Sequence, residues 1–412
     1  VDLFMPRARR YAPSLEDALL AEAAIRIQLS PSNYALAVQR YNAIARFLDE
    51  HPALRHCHFR VAAQGSMAIG TTIAARGDEG FDIDVLLHIV DPLTALGSKP
   101  QQILERLRSL LEAGHWKGMT RLRRRCVTIE YADGMHLDLT PWIERLVGRY
   151  GLVFHHDPEN GISGEAPSSP ERFADWHHDS MPDDPSFSLY IAQAAHQRET
   201  LLRMEKRADV EPVPEQEHAF EKPRAVITQQ LMKRQRNLRY AASRFAMPPS
   251  ILLAKLVGET ACHATPSASL LHEAIRITGY VLVRLEDIAT GDTRDITNPR
   301  DQEESLLDRW PGDLPTVRYY QTVLGEMRRD LIAMEEEDLS GKRQIVKRLF
   351  GENVGEDAVR KVLGDQTASA NRDGFRAAIG GLGGVATFGG AAPAGQLHTA
   401  RPTRFYGAEI KR

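Results

Sequence analysis

Phe81-Asp82-Ile83-Asp84-Val85-Leu86-Leu87-His88-Ile89-Val90 is the stretch that decides the fold. It alternates apolar and acidic residues at first and then runs apolar, the pattern of a central strand with one polar end. Side chains alternate faces along a strand, so Phe81, Ile83 and Val85 point one way and Asp82 and Asp84 the other, about 7 Å apart. Two carboxylates on one face of a buried strand repel each other and lose hydration. Such a pair persists when a cation compensates it, and Mg²⁺ prefers oxygen ligands of this kind.

Reading outward, RVAAQGS (60–66) is short and strand-like and ends in Gly65-Ser66. At a strand-to-helix turn, backbone N–H groups and a hydroxyl can hold a triphosphate. The segment from Pro100 to about Ala113 has helical periodicity. CVTIEYADGMHLDLTPW (126–142) reads as two strands joined at Asp133-Gly134, a strong hairpin signal. In its second half Leu137 and Leu139 face one side, and His136, Asp138 and Thr140 the other. If this strand lies beside the first, Asp138 completes a three-carboxylate metal cluster. Two divalent ions held about 4 Å apart could then activate an attacking hydroxyl and stabilise a pyrophosphate leaving group. Gly-Ser alone is usually a turn and Asp-x-Asp alone a solvated edge; their joint arrangement with Asp138 is what points to chemistry. Asp78, Glu79 and Asp133 fall in expected loops and are decoys for this site.

Before the strands, the chain to about Asp49 reads as helix, interrupted at Ser30-Pro31-Ser32. Beyond about residue 180 long amphipathic patterns replace strand patterns. From about Ala378 the chain becomes Gly/Ala-rich, a flexible linker to the tail HTARPTRFYGAEIKR. No internal repeat is visible. The expected fold class is α+β, with a mixed-sheet core at 1–180, a helical lobe at 181–365 closing over a central cleft, and a flexible tail at 366–412.

Composition narrows the function classes. Lys+Arg 52 against Asp+Glu 55 leaves a net charge of −3, so no global positive field attracts nucleic acid. The cysteines Cys57, Cys126 and Cys262 are far apart, which excludes a disulfide framework and disfavours a structural zinc site. No apolar run reaches about 20 residues and the opening residues lack a signal-peptide core. A reduced, cytoplasmic protein with no membrane span is expected.

QGSMAIGTTI (64–73), FDIDVLL (81–87) and HLDLTPW (136–142) together resemble the signature of the bacterial cyclic-oligonucleotide synthases related to cyclic GMP-AMP synthase, the signal-generating enzymes of anti-phage defence. IQLSPSNYALAVQRYNAI, SSPERFADWHHDSM and ITQQLMKRQRNLRYAASRFAMPPSILLAKL extend the resemblance to roughly residues 25–345. One departure is the 15-residue gap between Ser66 and Asp82, long for the family, which bears on the loop and not on the carboxylates. The resemblance implies a polymerase-beta-like nucleotidyltransferase. ATP and other nucleoside triphosphates would be joined into a cyclic di- or trinucleotide with release of pyrophosphate, using two Mg²⁺ ions, or Mn²⁺. Asp82 and Asp84 would bind both ions and Asp138 the ion that activates the attacking ribose hydroxyl. It also implies that Lys233 and Ser250, with Gly65 and Ser66, hold the triphosphate; an ammonium and a hydroxyl at a helix start suit phosphate oxygens. Rivals that share the carboxylates are a linear-oligonucleotide synthase and an enzyme that modifies tRNA or protein.

Two basic clusters need separate readings. In MKRQRNLR (232–239), Arg234, Arg236 and Arg239 read as a solvated helix face. Arg121–Arg125 reads as a solvated edge that discourages sheet pairing, so a nucleic-acid activator is not expected. His56/His58, His155-His156 and His177-His178 read as surface or loop histidines. The tail, if functional, would be captured by a HORMA-like or ubiquitin-ligase-like partner, as the resemblance implies.

Overall fold

The computed structural model describes residues 11–54, 59–74, 82–89, 97, 99–146, 150–157, 161–206, 221–262, 265, 267–308 and 310–364. Cys57, His56, His58, Asp78, Glu79, Phe81 and the tail lie outside the described residues. The first half contains α1 (Leu15–Ile27), α2 (Pro31–Glu50), β1 (Phe59–Ala63), α3 (Gly65–Ala68), β2 (Asp82–Ile89), α4 (Pro100–Glu112), β3 (Thr120–Leu122), β4 (Val127–Glu130), β5 (His136–Leu146), β6 (Tyr150–Asp157), β7 (Ile162–Ser168) and α5 (Pro170–Ser180). There follow α6 (Pro185–Lys206), α7 (Arg224–Tyr240), α8 (Ser250–Cys262), α9 (Leu270–Thr290), β8 (Thr297–Asn298), β9 (Asp301–Ser305), α10 (Leu314–Ala333) and α11 (Leu339–Phe350).

Strand alternation builds the first core. Ile83, Val85, Leu87 and Ile89 of β2 and Leu137 and Leu139 of β5 bury one face against Ile44 and Leu48 of α2 and Leu107 and Leu111 of α4. β2 is central: it pairs antiparallel with β1 and parallel with β5. On its other side β5 pairs first with β4 and then with β6, within a mixed seven-stranded sheet. The Asp133-Gly134 hairpin forms as expected, with Gly134 at φ 84° and its N–H donating to Tyr131 O. The break at Ser30 also forms: Ser30 Oγ accepts from Asn33 N, and Pro31 opens α2.

The sequence reading missed β6 and β7. β7 is ISGEAPS, a half-exposed strand whose Gly and Pro mimic loop composition; only an edge position tolerates them.

The second core joins α1 to the later helices. Leu19, Leu20, Ala23 and Ile27 of α1 lie in one cluster with Leu231 of α7, Leu253 of α8, Ile277 of α9, Tyr320 of α10 and Val346 of α11. α7 runs through this cluster, with Lys233, Arg234 and Arg236 all buried. The solvated basic face expected here is therefore corrected at two positions, Arg234 and Arg236. Each charged head meets a backbone carbonyl instead: Lys233 Nζ that of Thr71 (2.9 Å), Arg234 Nε that of Phe350 (3.0 Å) and Arg236 Nη1 that of Pro248 (2.8 Å). Only Arg239, paired with Glu326, reaches solvent among the four.

A small hairpin, β8–β9, was not anticipated among the helices. It ties them to the junction of β7 and α5 by buried polar contacts. Glu304 accepts from Ser168 Oγ (3.0 Å), Ser169 N (2.8 Å) and Asn298 Nδ2 (2.7 Å), and Asp301 accepts from Ser169 Oγ (2.6 Å). Among the described residues, no helix is long and apolar enough to cross a membrane.

Candidate active site

On the sheet face away from the first core, register places three side chains in one row. Asp84 of β2 lies opposite Asp138 of β5, and Asp138 lies opposite Thr128 of β4. Asp138 Oδ1 accepts from Thr128 Oγ1 at 2.5 Å. Asp82, one step along β2, is exposed, and its Oδ1 stands 3.3 Å from His136 Nδ1. Asp84 is pushed up to about 7 by burial first, then by the charges of Asp138 and Asp82; Lys233 and the Ser66 N–H oppose the shift. Cys126 also borders this row, its thiol held neutral by burial and by Asp138.

The turn that leads into the row is built around Asp84. β1 ends at Ala63, and Gln64 N donates to Asp84 O at 2.9 Å. Gly65 then adopts φ 58° and starts α3. A Cβ at this position would lie 2.2 Å from Asp84 Oδ2, so glycine is required both for the left-handed backbone and for the approach of the carboxylate. Ser66 Oγ accepts from Thr72 Oγ1 at 3.2 Å.

Lys233 reaches the same place from α7. Its ammonium is pushed down to about 7 by burial first and then by Arg236, with Asp84 pulling it upward. Ser250 opens α8, and its Oγ accepts from Arg236 Nη2 at 3.2 Å. The structure thus gathers Gly65, Ser66, Asp82, Asp84, Asp138 and Lys233 around one turn, and links Ser250 to them through α7. Sequence reading missed Thr72, Thr128 and Gln230. The only signals were the threonine pair after Gly70 and the i, i+3 spacing of Gln230 and Lys233.

The carboxylates share a face without closing on one point. Among the described residues, no group of three or more His, Cys, Asp or Glu side chains is placed to hold a metal ion. Asp138 is turned to Thr128, Asp82 stands beside His136, and Asp84 lies beneath Gly65. The donor chemistry nevertheless fits a hard divalent cation. Three carboxylates share one face of the strand ends, and the charge of the half-buried Asp84, opposed by burial of its carboxyl and by Asp138 and Asp82, is one a cation would relieve.

The decoys and the other basic cluster sort themselves by their partners. Asp133 is bound to Arg40 at 2.8 Å. Arg121 and Arg124 are exposed and pair with Glu130 and Asp157. His177 corrects its surface reading: it is fully buried, 3.1 Å from Gln229 Oε1, and burial pushes it down to about 4.

Residues 17–177 match the SMODS family, the "Second Messenger Oligonucleotide or Dinucleotide Synthetase domain". The chain is 32% identical over 348 residues to the cyclic dinucleotide synthase CdnG of Bradyrhizobium diazoefficiens, covering 82% of this chain and 81% of that protein. It is 26% identical over 322 residues to a c-di-GMP synthase of Roseivirga ehrenbergii, covering 77% and 78%. The structure of the Bradyrhizobium CD-NTase CdnG in complex with GTP superposes with a TM-score of 0.72 at 29% identity, over 85% of this chain and 98% of that one. The chain belongs to this family of cyclic dinucleotide synthases. It is a nucleotidyltransferase, and its reaction is the synthesis of a cyclic oligonucleotide.

Proposed function

We propose that this protein joins nucleoside triphosphates, GTP among them, into a cyclic dinucleotide, releasing pyrophosphate at each of two transfers. The observation that carries this is the packing of Gly65 directly against Asp84, with Asp138 opposite Asp84 in register. The relatives named for cyclic dinucleotide and c-di-GMP synthesis, and the GTP held by one of them, support the choice of product and substrate.

In this reading Asp82, Asp84 and Asp138 hold divalent ions, Mg²⁺ or Mn²⁺. When bound, such ions make the ribose hydroxyl acidic enough to attack and neutralise charge on the departing pyrophosphate. Gly65 lets the chain approach the phosphates closely, and Ser66 donates its hydroxyl proton to a phosphate oxygen. Lys233 supplies the balancing positive charge, and Ser250 a second hydroxyl. Residues 1–180 form the nucleotidyltransferase core and 181–365 the lobe over the cleft, with α1 packed into the second of these. A defence role, and capture of the 366–412 tail by a regulatory partner, follow from the resemblance as further parts of the proposal.

The test is a product assay. The full chain is incubated with all four labelled nucleoside triphosphates, then with single omissions, in Mg²⁺ and in Mn²⁺. Products are treated with phosphatase and resolved by mass. A phosphatase-resistant dinucleotide that disappears in Asp82→Asn and Asp84→Asn, while both variants keep the wild-type melting temperature, supports the reading. A phosphatase-sensitive linear product overturns cyclisation, and activity retained in both variants overturns the site.

A further inference from the structure

The loop Gly70-Thr71-Thr72 is gripped from behind by α7. Gln230 is fully buried and donates its Nε2 to both Gly70 O (3.3 Å) and Thr72 O (3.0 Å). Lys233, one turn further along the same face, donates to Thr71 O at 2.9 Å. The loop in turn holds Ser66. Thr71 N donates to Ser66 O at 2.8 Å, and Thr72 Oγ1 donates to Ser66 Oγ at 3.2 Å. At 3.2 Å this hydroxyl pair is longer than an ordinary O–H···O bond.

The direction of the last bond matters. A serine hydroxyl has one proton and two lone pairs. With a lone pair of Ser66 engaged by Thr72, its proton is left to donate elsewhere, and an ionised phosphate oxygen can only accept. The Ser66 proton is then free to turn towards a phosphate oxygen. Gln230 makes the setting rigid, because both carbonyls that flank Thr71 are fixed to one buried amide.

We propose that Thr72, held by Gln230, is a positioning residue of the phosphate site, orienting Ser66 as a donor to the nucleotide. This rests on the reading that Ser66 touches the triphosphate, and the experiment separates the two. KM and kcat for GTP, and the melting temperature without nucleotide, are measured for Ser66→Ala, Thr72→Val, Thr72→Ser and the double variant Ser66→Ala/Thr72→Val. One oriented hydrogen bond corresponds to a change of about 3–10-fold. Thr72→Val is expected to raise KM by that factor with a smaller change in kcat, Thr72→Ser to restore the wild-type value, and Thr72→Val to add nothing once Ser66 is alanine.

If Ser66→Ala raises KM but Thr72→Val leaves it unchanged, the inference falls and the phosphate role of Ser66 stands. An equal effect of Thr72→Val in both backgrounds also overturns it, because Thr72 then acts independently of Ser66. If Ser66→Ala itself leaves KM unchanged, the phosphate reading of Ser66 fails, and the inference with it. A purely structural role would lower the melting temperature equally in both backgrounds without this KM pattern.

Discussion

Replacing Gly65 with alanine tests the site at its tightest point. Two costs separate cleanly. The backbone at φ 58° is left-handed, which costs a residue with a Cβ about 1–2 kcal/mol. The new Cβ would also stand 2.2 Å from Asp84 Oδ2 and 2.9 Å from Asp84 Cγ. Reaching even 3.0 Å requires Oδ2 to retreat by 0.8 Å, since 3.0 less 2.2 is 0.8. A carboxylate is a movable group, so folding survives. A displacement near 1 Å at a reacting centre, however, costs on the order of 10²-fold in rate. Gly65→Ala is thus expected to lose only a few degrees of melting temperature and about 100-fold in kcat, measured by initial rates of product formation. Gly70→Ala is the control. It has φ 69°, but its nearest neighbour is Lys222 Cε at 4.0 Å, so it pays the backbone strain without the clash and keeps its activity within a few-fold. Equal activity in the two variants would refute the claim that Gly65 is required by Asp84.

Three further outcomes are expected. Thr128→Val removes the hydroxyl that orients Asp138 while keeping its shape; a bond of this type to a charged acceptor is worth about 1.5–3 kcal/mol. Mn²⁺ binding to the free protein, followed by paramagnetic resonance, should weaken at least several-fold and recover in Thr128→Ser. His177 is neutral in the fold with its pKa lowered to about 4, so below about pH 6.5 the unfolded chain gains a proton that the fold does not accept. Stability attributable to this group is complete above pH 6.5 and is lost as pH falls towards 4, by about 2–3 kcal/mol at pH 4.5. Urea unfolding of the wild type and His177→Gln at pH 7 and 4.5 should show the extra loss only in the wild type. Glu304→Ala leaves the buried Ser169 N without its acceptor and takes one acceptor from Ser168 Oγ and from Asn298 Nδ2, at roughly 3 kcal/mol, read as a lowered melting temperature.

How much of this was legible in the chain depends on the range of the forces involved. The alternation of Asp82 and Asp84, the Asp133-Gly134 hairpin, the break at Ser30-Pro31 and the turn at Gly65-Ser66 are local. Backbone geometry and residue type within a few positions dictate them, so sequence alone determined the strand faces and the candidate site residues. It also determined that the later half is helical, because amphipathic spacing persists through Leu270–Thr290 and Leu314–Ala333. Pairing is different. That Asp138 falls opposite Asp84 depends on β5 joining β2 in parallel at one register, across more than 50 positions of chain. The burial of α7 was hidden for a related reason. Its arginines look solvated in isolation, and only the carbonyls of Phe350 and Pro248, brought from distant segments, make the burial of Arg234 and Arg236 tolerable. Thr72, Thr128 and Gln230 came to notice in the same way: a hydroxyl or an amide has no directional meaning until tertiary structure places its partner within about 3 Å.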